Sequence, residues 1–396
     1  MRRVALILAG LLVLSSIAAA QSGGRFEAQT EHYRVVSEVG RDHAERTAAR
    51  LEATLGIFND YFHFDLGELP APMRVRIFAS KAEFDSYLRS IIDETREDFI
   101  YLHYGDLARN ELVGYFRDEP EYDYSLNHQA FIQYLRSFVG NPPLWLREGF
   151  AVYFEEIEYD PETGQAVYRE NLAWLDTLKA IVSGEAERPG IPLEEMLRLD
   201  LASAREHIDV FYPQAWGMVS FLLNTDNRDV NRVLWDSLSA LEPGAAMLEN
   251  ARAIEREAVR WVNEEQLVDD FLAYLDERRS FRGFVEDGMD LYENGEMEAA
   301  EEAFVKALNL RSDNYVPYYY LGLINYDGTN FSLADYYYRQ ALENGAEEAL
   351  TYYALGVNAY ADNRFEQATD YLERTIELDP EGYATQAEQL IARMDG

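Results

Sequence analysis

Small residues return every 34 positions in the last third of the chain, and no other feature constrains the fold as tightly. Gly288, Gly322 and Gly356 form one series; Ala300, Ala334 and Ala368 form another. The first unit also carries Gly295, Phe304 and Ala307. The second adds Phe331, Tyr338 and Ala341, and the third adds Phe365, Leu372 and Pro380. Small residues let two helices approach closely, and the larger apolar ones fill the space between them. Such a unit cannot bury its apolar face alone and must stack on its neighbours. Residues 281–396 therefore read as three helix pairs and a capping helix near 384–394.

Residues 25–280 have a different grammar. "HYRVVSE" and "MRVRIFAS" alternate apolar and polar side chains, as strands do, with a helix over 42–62 between them and a further strand over 110–116. Helices are expected over 125–139, 146–158, 169–182 and 212–224. Strands first and helices afterwards predict an α+β domain with a small sheet, followed by the all-α solenoid, with the break near 277–280.

The N-terminus has the three parts of a secretory signal: Met1-Arg2-Arg3, an apolar run from Val4 to Ile17, and Ala18-Ala19-Ala20. Cleavage near Gln21 predicts an exported protein, periplasmic or secreted, and no later stretch is long and apolar enough to span a bilayer. The chain has no cysteine, so it must hold together by packing rather than by disulfides. Its formal net charge of −37 argues against nucleic acid or anionic lipid as a partner.

The 34-residue series resembles the tetratricopeptide (TPR) repeat, departing from it at Thr375, where a small Ala is usual, and at Ser312, where Pro is common. The resemblance implies a protein or peptide partner on the concave surface, lined by the first helix of each unit. Tyr292, Tyr326 and Tyr360 recur on that helix at the same interval, as do Tyr319 and Tyr353, and these five are the candidate partner-binding residues. Tyrosine offers apolar area with a hydroxyl, a combination favoured at recognition surfaces. The competing reading is packing between helices, which is the role expected of Phe284, Tyr318 and Tyr352.

"NHQAFIQYLRSFVGNPPLWLREGFAVYFEE", within a stretch from about 31 to 223, resembles the gluzincin or peptidase MA-like domains of exported bacterial proteins. The resemblance implies an HExxH helix, two imidazoles one turn apart with a Glu base, and a third zinc ligand from the later Glu-Gly pair. Here the five positions read His128-Gln129-Ala130-Phe131-Ile132, and Glu148 stands at the third ligand. An amide at Gln129 cannot take a proton from water, and Ile132 supplies no lone pair. No HxxxH occurs anywhere in the chain. His128 and Glu148 alone are one protein ligand short of the usual catalytic set, though Glu155, Glu156 or Asp123 could approach in space.

The expected protein is thus a non-catalytic binding or scaffold protein, with a vestigial site at His128, Gln129, Ile132 and Glu148 and no cofactor. The alternatives are a zinc endopeptidase using His128 and Glu148 as metal ligands, and a purely structural envelope protein. No nucleophile elbow, phosphate loop or dinucleotide-binding turn is present.

Overall fold

The computed structural model describes residues 20–22, 24–104, 106–117 and 120–394, so the expected leader lies almost wholly outside the described residues. The chain divides into two compact units between Leu275 and Asp276. The first is α+β and the second is an all-α solenoid.

The described strands of the first unit include β1 (Ala20–Ser22), β2 (Arg25–Gln29), β3 (Tyr33–Ser37), β4 (Met73–Phe78), β5 (Ile100–Leu102) and β6 (Glu111–Tyr115). They form one mixed sheet in the order β1-β2-β3-β4-β6-β5. β3, β4 and β6 run parallel, while β2 and β5 join antiparallel, which leaves β5 as an edge strand. Alternation along β4 sends Met73, Val75 and Ile77 to one face and Phe78 to the other. Helix α1 (Arg41–Phe62) and helix α3 (Pro120–Phe138) cover the first face; α2 (Lys81–Ile92) covers the second through Phe84 and Leu88.

Below the first face the core is largely aromatic. Phe58 of α1 meets Phe131 of α3 edge-on with centroids 5.3 Å apart, and Phe62 meets Phe150 at 4.8 Å. Such pairs contribute roughly 0.5–1.5 kcal/mol each beyond the area they bury, a substantial source of cohesion in a chain without disulfides. Phe150 belongs to α4 (Leu144–Tyr153), which follows α3 through the Pro142-Pro143 turn. Asn250 and the Pro243 carbonyl hold that turn from outside, the first donating to the Asn141 carbonyl at 3.0 Å and the second accepting from the Gly140 amide at 3.1 Å.

Several expected boundaries move, each for a local reason. The helix expected from 125 begins at Pro120, a residue suited to the first helical position because its missing N–H is not needed there. The helix expected over 146–158 stops at Tyr153, and the one expected from 169 starts at Leu175. In both cases asparagine side chains capture the backbone: Asn127 donates to the carbonyls of Glu155 (2.8 Å) and Ile157 (2.9 Å), and Asn171 accepts from the Ala173 amide at 3.0 Å. The helix expected from Tyr212 starts earlier and spans Ile208–Asn224, carrying Pro213 in its second turn.

In the second unit the helix pairs are Phe281–Glu293 with Met297–Leu310, Tyr315–Asp327 with Phe331–Glu343, and Glu348–Ala361 with Phe365–Leu378. The terminal helix Pro380–Met394 follows. The recurring glycines are sockets. A Cβ at Gly288 would lie 2.8 Å from the Phe304 ring, at Gly322 2.5 Å from Tyr338, and at Gly356 2.8 Å from Leu372. Ala300, Ala334 and Ala368 are fully buried at the same crossings. Thr375, the departure from the series, is buried as well and turns its hydroxyl back to the Tyr371 carbonyl at 2.9 Å.

Candidate functional site

Helix α3 projects His128 toward α4, and α4 brings Glu148 to meet it. The meeting depends on Gly149: a Cβ there would lie 2.3 Å from the Ala215 carbonyl, so only glycine lets α4 lie against the helix Ile208–Asn224. That helix also places Tyr212, whose ring centroid is 6.4 Å from the His128 ring.

Both nitrogens of His128 are engaged. Nε2 is 3.1 Å from a Glu148 carboxylate oxygen, and Nδ1 is 2.7 Å from a Glu155 oxygen. The other Glu148 oxygen accepts from the Arg147 Nε at 2.8 Å, and the other Glu155 oxygen accepts from the Asn171 amide at 3.1 Å. The five groups form a continuous chain in the order Asn171, Glu155, His128, Glu148, Arg147, with each carboxylate between two donors.

The electrostatics follow from this order. Burial by itself disfavours a charged imidazole, but the hydrogen bonds and charges of Glu148 and Glu155 outweigh it and raise the His128 pKa to about 10. At neutral pH His128 is an imidazolium that donates from both nitrogens. Burial likewise pushes the Glu148 carboxyl up, yet Arg147 and His128 prevail and bring it down to about 2. Glu156, next in sequence to Glu155, goes the other way: burial and the charges of Glu155 and Glu158 raise it to about 7. Burial, reinforced by Glu148, pushes the Tyr212 hydroxyl well above its ordinary value.

The remaining positions of the degenerate motif have separate partners. The Gln129 side-chain oxygen accepts the Tyr101 backbone amide of β5 at 3.1 Å, so it closes an outward-facing N–H of the edge strand. Ile132 is buried with 6% exposure in the aromatic core. The structure therefore brings His128 and Glu148 together, adds Glu155, and directs Gln129 and Ile132 elsewhere.

Zinc requires lone pairs, normally from three protein groups plus water at a catalytic site. Only Nε2 of His128 and one Glu148 oxygen face a shared point. Glu155 approaches the opposite ring nitrogen, and Arg147 holds the second Glu148 oxygen. The residues present do not fit a catalytic zinc. Among the described residues no group of three or more His, Cys, Asp or Glu side chains is arranged to hold a metal ion.

Arg147 and Asn171, which the sequence motif does not mark, complete this cluster, and Asn127 holds the turn that carries Glu155. An Arg directly before the Glu-Gly pair was a readable signal for a competing partner of Glu148, whereas the asparagines act through backbone turns that carry no sequence period.

The five candidate tyrosines of the second unit are all half-buried. Tyr292 donates to Asp327 at 3.2 Å, and Tyr319 packs against Tyr338 at 5.7 Å. Tyr326 lies against Phe331 (6.1 Å) and Tyr360 against Phe365 (6.0 Å). Tyr353 meets Tyr383 of the terminal helix at 5.2 Å, a partner outside the 34-residue series. Phe284, Tyr318 and Tyr352, expected in the core, are half-buried too; the fully buried positions are Phe304, Tyr338 and Leu372, on the second helices.

The fold and its clusters define a two-unit protein: an α+β unit with an internally satisfied His–carboxylate cluster, and a TPR-like helical solenoid. A family model described as "Protein of unknown function (DUF1570)" matches residues 126–243, a stretch that holds His128, Glu148, Glu155 and Tyr212. No curated protein matches the chain. Among solved structures, the first TPR of Spaghetti (RPAP3) bound to the HSP90 peptide SRMEEVD is 18% identical, with 29% of this chain and 90% of that one covered, at a TM-score of 0.27. The Arabidopsis OM64 TPR domain is also 18% identical, covering 28% of this chain and 94% of that one, with a TM-score of 0.27. MamA (41-end) from Desulfovibrio magneticus RS-1 is 22% identical over 36% of this chain and 83% of its own, at 0.28.

Proposed function

We propose that the protein is an exported, non-catalytic binding or scaffold protein, a degenerate gluzincin-like domain coupled to a solenoid that docks a polypeptide partner. The observation that carries the non-catalytic half is the occupation of both His128 nitrogens by carboxylates. A protonated imidazole has no lone pair for a metal, and Gln129 offers no base to activate water. His128 sits between the two carboxylates and Arg147 lies on the far side of Glu148, so two positive charges offset the two negative ones.

The docking half is supported by the solenoid and its half-buried tyrosines, which keep part of each ring open to a partner. Metal analysis and proteolysis by the full chain test the reading. Zinc-equilibrated protein is expected to retain no stoichiometric metal and to cleave no unfolded protein substrate. Stoichiometric zinc that disappears in His128→Ala and Glu148→Ala, together with chelator-sensitive cleavage, would replace this reading with a zinc endopeptidase of unusual ligand set.

A further inference from the structure

We propose that the tyrosine-bearing face of the solenoid takes a cationic polypeptide segment, one carrying several Lys or Arg side chains. This inference rests on the reading of the solenoid as a docking module and specifies the chemistry of its partner.

The argument is the distribution of charge between the two helices of each pair. Tyr315–Asp327 contains no basic residue and ends in Asp327; Glu348–Ala361 contains none and begins with Glu348. Arg282, in the first turn of Phe281–Glu293, is the only basic residue on the first helices. The second helices and turns hold cations that are already paired: Lys306 with Glu302 at 2.8 Å, Arg339 with Asp335 at 2.7 Å, Arg364 with Asp362 at 2.7 Å and Arg374 with Glu377 at 3.0 Å. A partner rich in carboxylates would meet few uncommitted cations on the first helices.

Tyr292, Tyr319 and the terminal-helix Tyr383, by contrast, lie near carboxylates. Tyr292 donates to Asp327 of the next first helix, and after burial that carboxylate is what raises the Tyr292 hydroxyl pKa. Burial and nearby tyrosines push Tyr319 up to about 12, with Glu347 adding to them. Tyr383, its ring tilted against that of Tyr353, is raised by burial and then by Glu347 and Asp379. Aromatic faces attract cations through their quadrupole, and adjacent carboxylates add direct Coulomb attraction. A Lys or Arg side chain gains from both here, whereas an acidic segment is repelled by the same groups. Each exposed cation–aromatic contact corresponds to roughly a two- to fivefold gain in affinity.

The test uses the full chain and three fluorescent synthetic peptides of one length. The first alternates Lys and Arg with Gly and Ser, the second replaces the cations with Glu, and the third replaces them with Gln. Anisotropy titrations are made at about 0.15 M salt, where long-range attraction is screened beyond roughly 8 Å. The cationic peptide is expected to bind saturably with one site. Asp327→Asn and Tyr353→Leu should each weaken it by roughly two- to fivefold, while Glu302→Gln, on a second helix, should leave it unchanged. Melting curves identify any variant that fails to fold, and Tyr360→Leu then replaces Tyr353→Leu.

Weakening by Glu302→Gln to the same degree, or by none of the substitutions, would show diffuse attraction to an acidic protein and overturn the proposal. Binding of the Glu or Gln peptide in preference, weakened by Tyr353→Leu, would overturn the cationic assignment while leaving the docking reading in place. If none of the three binds, both fall.

Discussion

Replacing His128 with Gln should remove stability that depends on pH in a specific way. In the folded chain the imidazole pKa is raised from 6.5 to about 10, and its side chain is only 13% exposed, so little solvent screening applies. A raised pKa contributes stability that is complete below the unfolded value and is lost as pH rises through the folded one. The shift corresponds to about 5 kcal/mol below pH 6, about 4 kcal/mol at pH 7 and about 1 kcal/mol at pH 9. The lowered Glu148 pKa comes from Arg147 first and from the same His128 contact second, so it is not added. An independent guide agrees: removing one partner of a buried ion pair costs roughly 3–5 kcal/mol. Urea denaturation of the full chain and of His128→Gln, followed by tryptophan fluorescence, measures the difference at each pH between 6 and 9. All five tryptophans belong to the first unit, so the signal reports the right part of the molecule. The difference should shrink steadily with rising pH. A difference that is constant from pH 6 to 9, or that grows, would mean that the imidazole is neutral and that the electrostatic account of the cluster is wrong.

Gly149→Ala should destabilise the first unit by about 1–3 kcal/mol, because the new methyl group meets the Ala215 carbonyl in a tight helix crossing; an unchanged urea midpoint would contradict the packing. Gly322→Ala should lower the stability of the solenoid by a similar amount, about 1–3 kcal/mol, read by circular dichroism, since Tyr338 fills the place its Cβ would take. Asn171→Ala should cost roughly 1–3 kcal/mol and also lower the His128 pKa, seen by NMR as a histidine titration midpoint at lower pH, because Glu155 is no longer held against the ring; an unmoved midpoint would remove Asn171 from the cluster. The double change Gln129→Glu and Ile132→His supplies the missing base and ligand together. Zinc uptake by that variant, measured by metal analysis, is the expected result if the helices still present a gluzincin geometry, and its absence would remove that part of the proposal.

The legible parts of the sequence were those in which one packing rule repeats. A 34-residue spacing of Gly and Ala gave the helix pairs because each glycine faces the same partner position on the following helix. The strands Tyr33–Ser37, Met73–Phe78 and Glu111–Tyr115 showed in their alternation or apolar runs. β2, α2 and β5 were not read: β5 has only three residues, too few for any period, and α2 follows its strand after only a short turn. Helix ends were misplaced where a side chain, such as Asn127 or Asn171, competes for the backbone across a distance in sequence. For the same reason His128 and Glu148 could be paired from the motif, while the role of Glu155 depended on a turn that only the folded chain displays.

The three sockets of the solenoid differ in what fills them: a phenyl ring at Gly288, a phenol at Gly322 and a branched aliphatic group at Gly356. A stack of near-identical units risks pairing out of order while it forms, since any first helix could seek any second helix. Distinct shapes at an otherwise shared position penalise such mispairing: Leu372 under Gly322 would leave a void, and Tyr338 under Gly356 would collide. The residues that close each pair thus also label it, most sharply the third, where an aliphatic group takes the place of a ring.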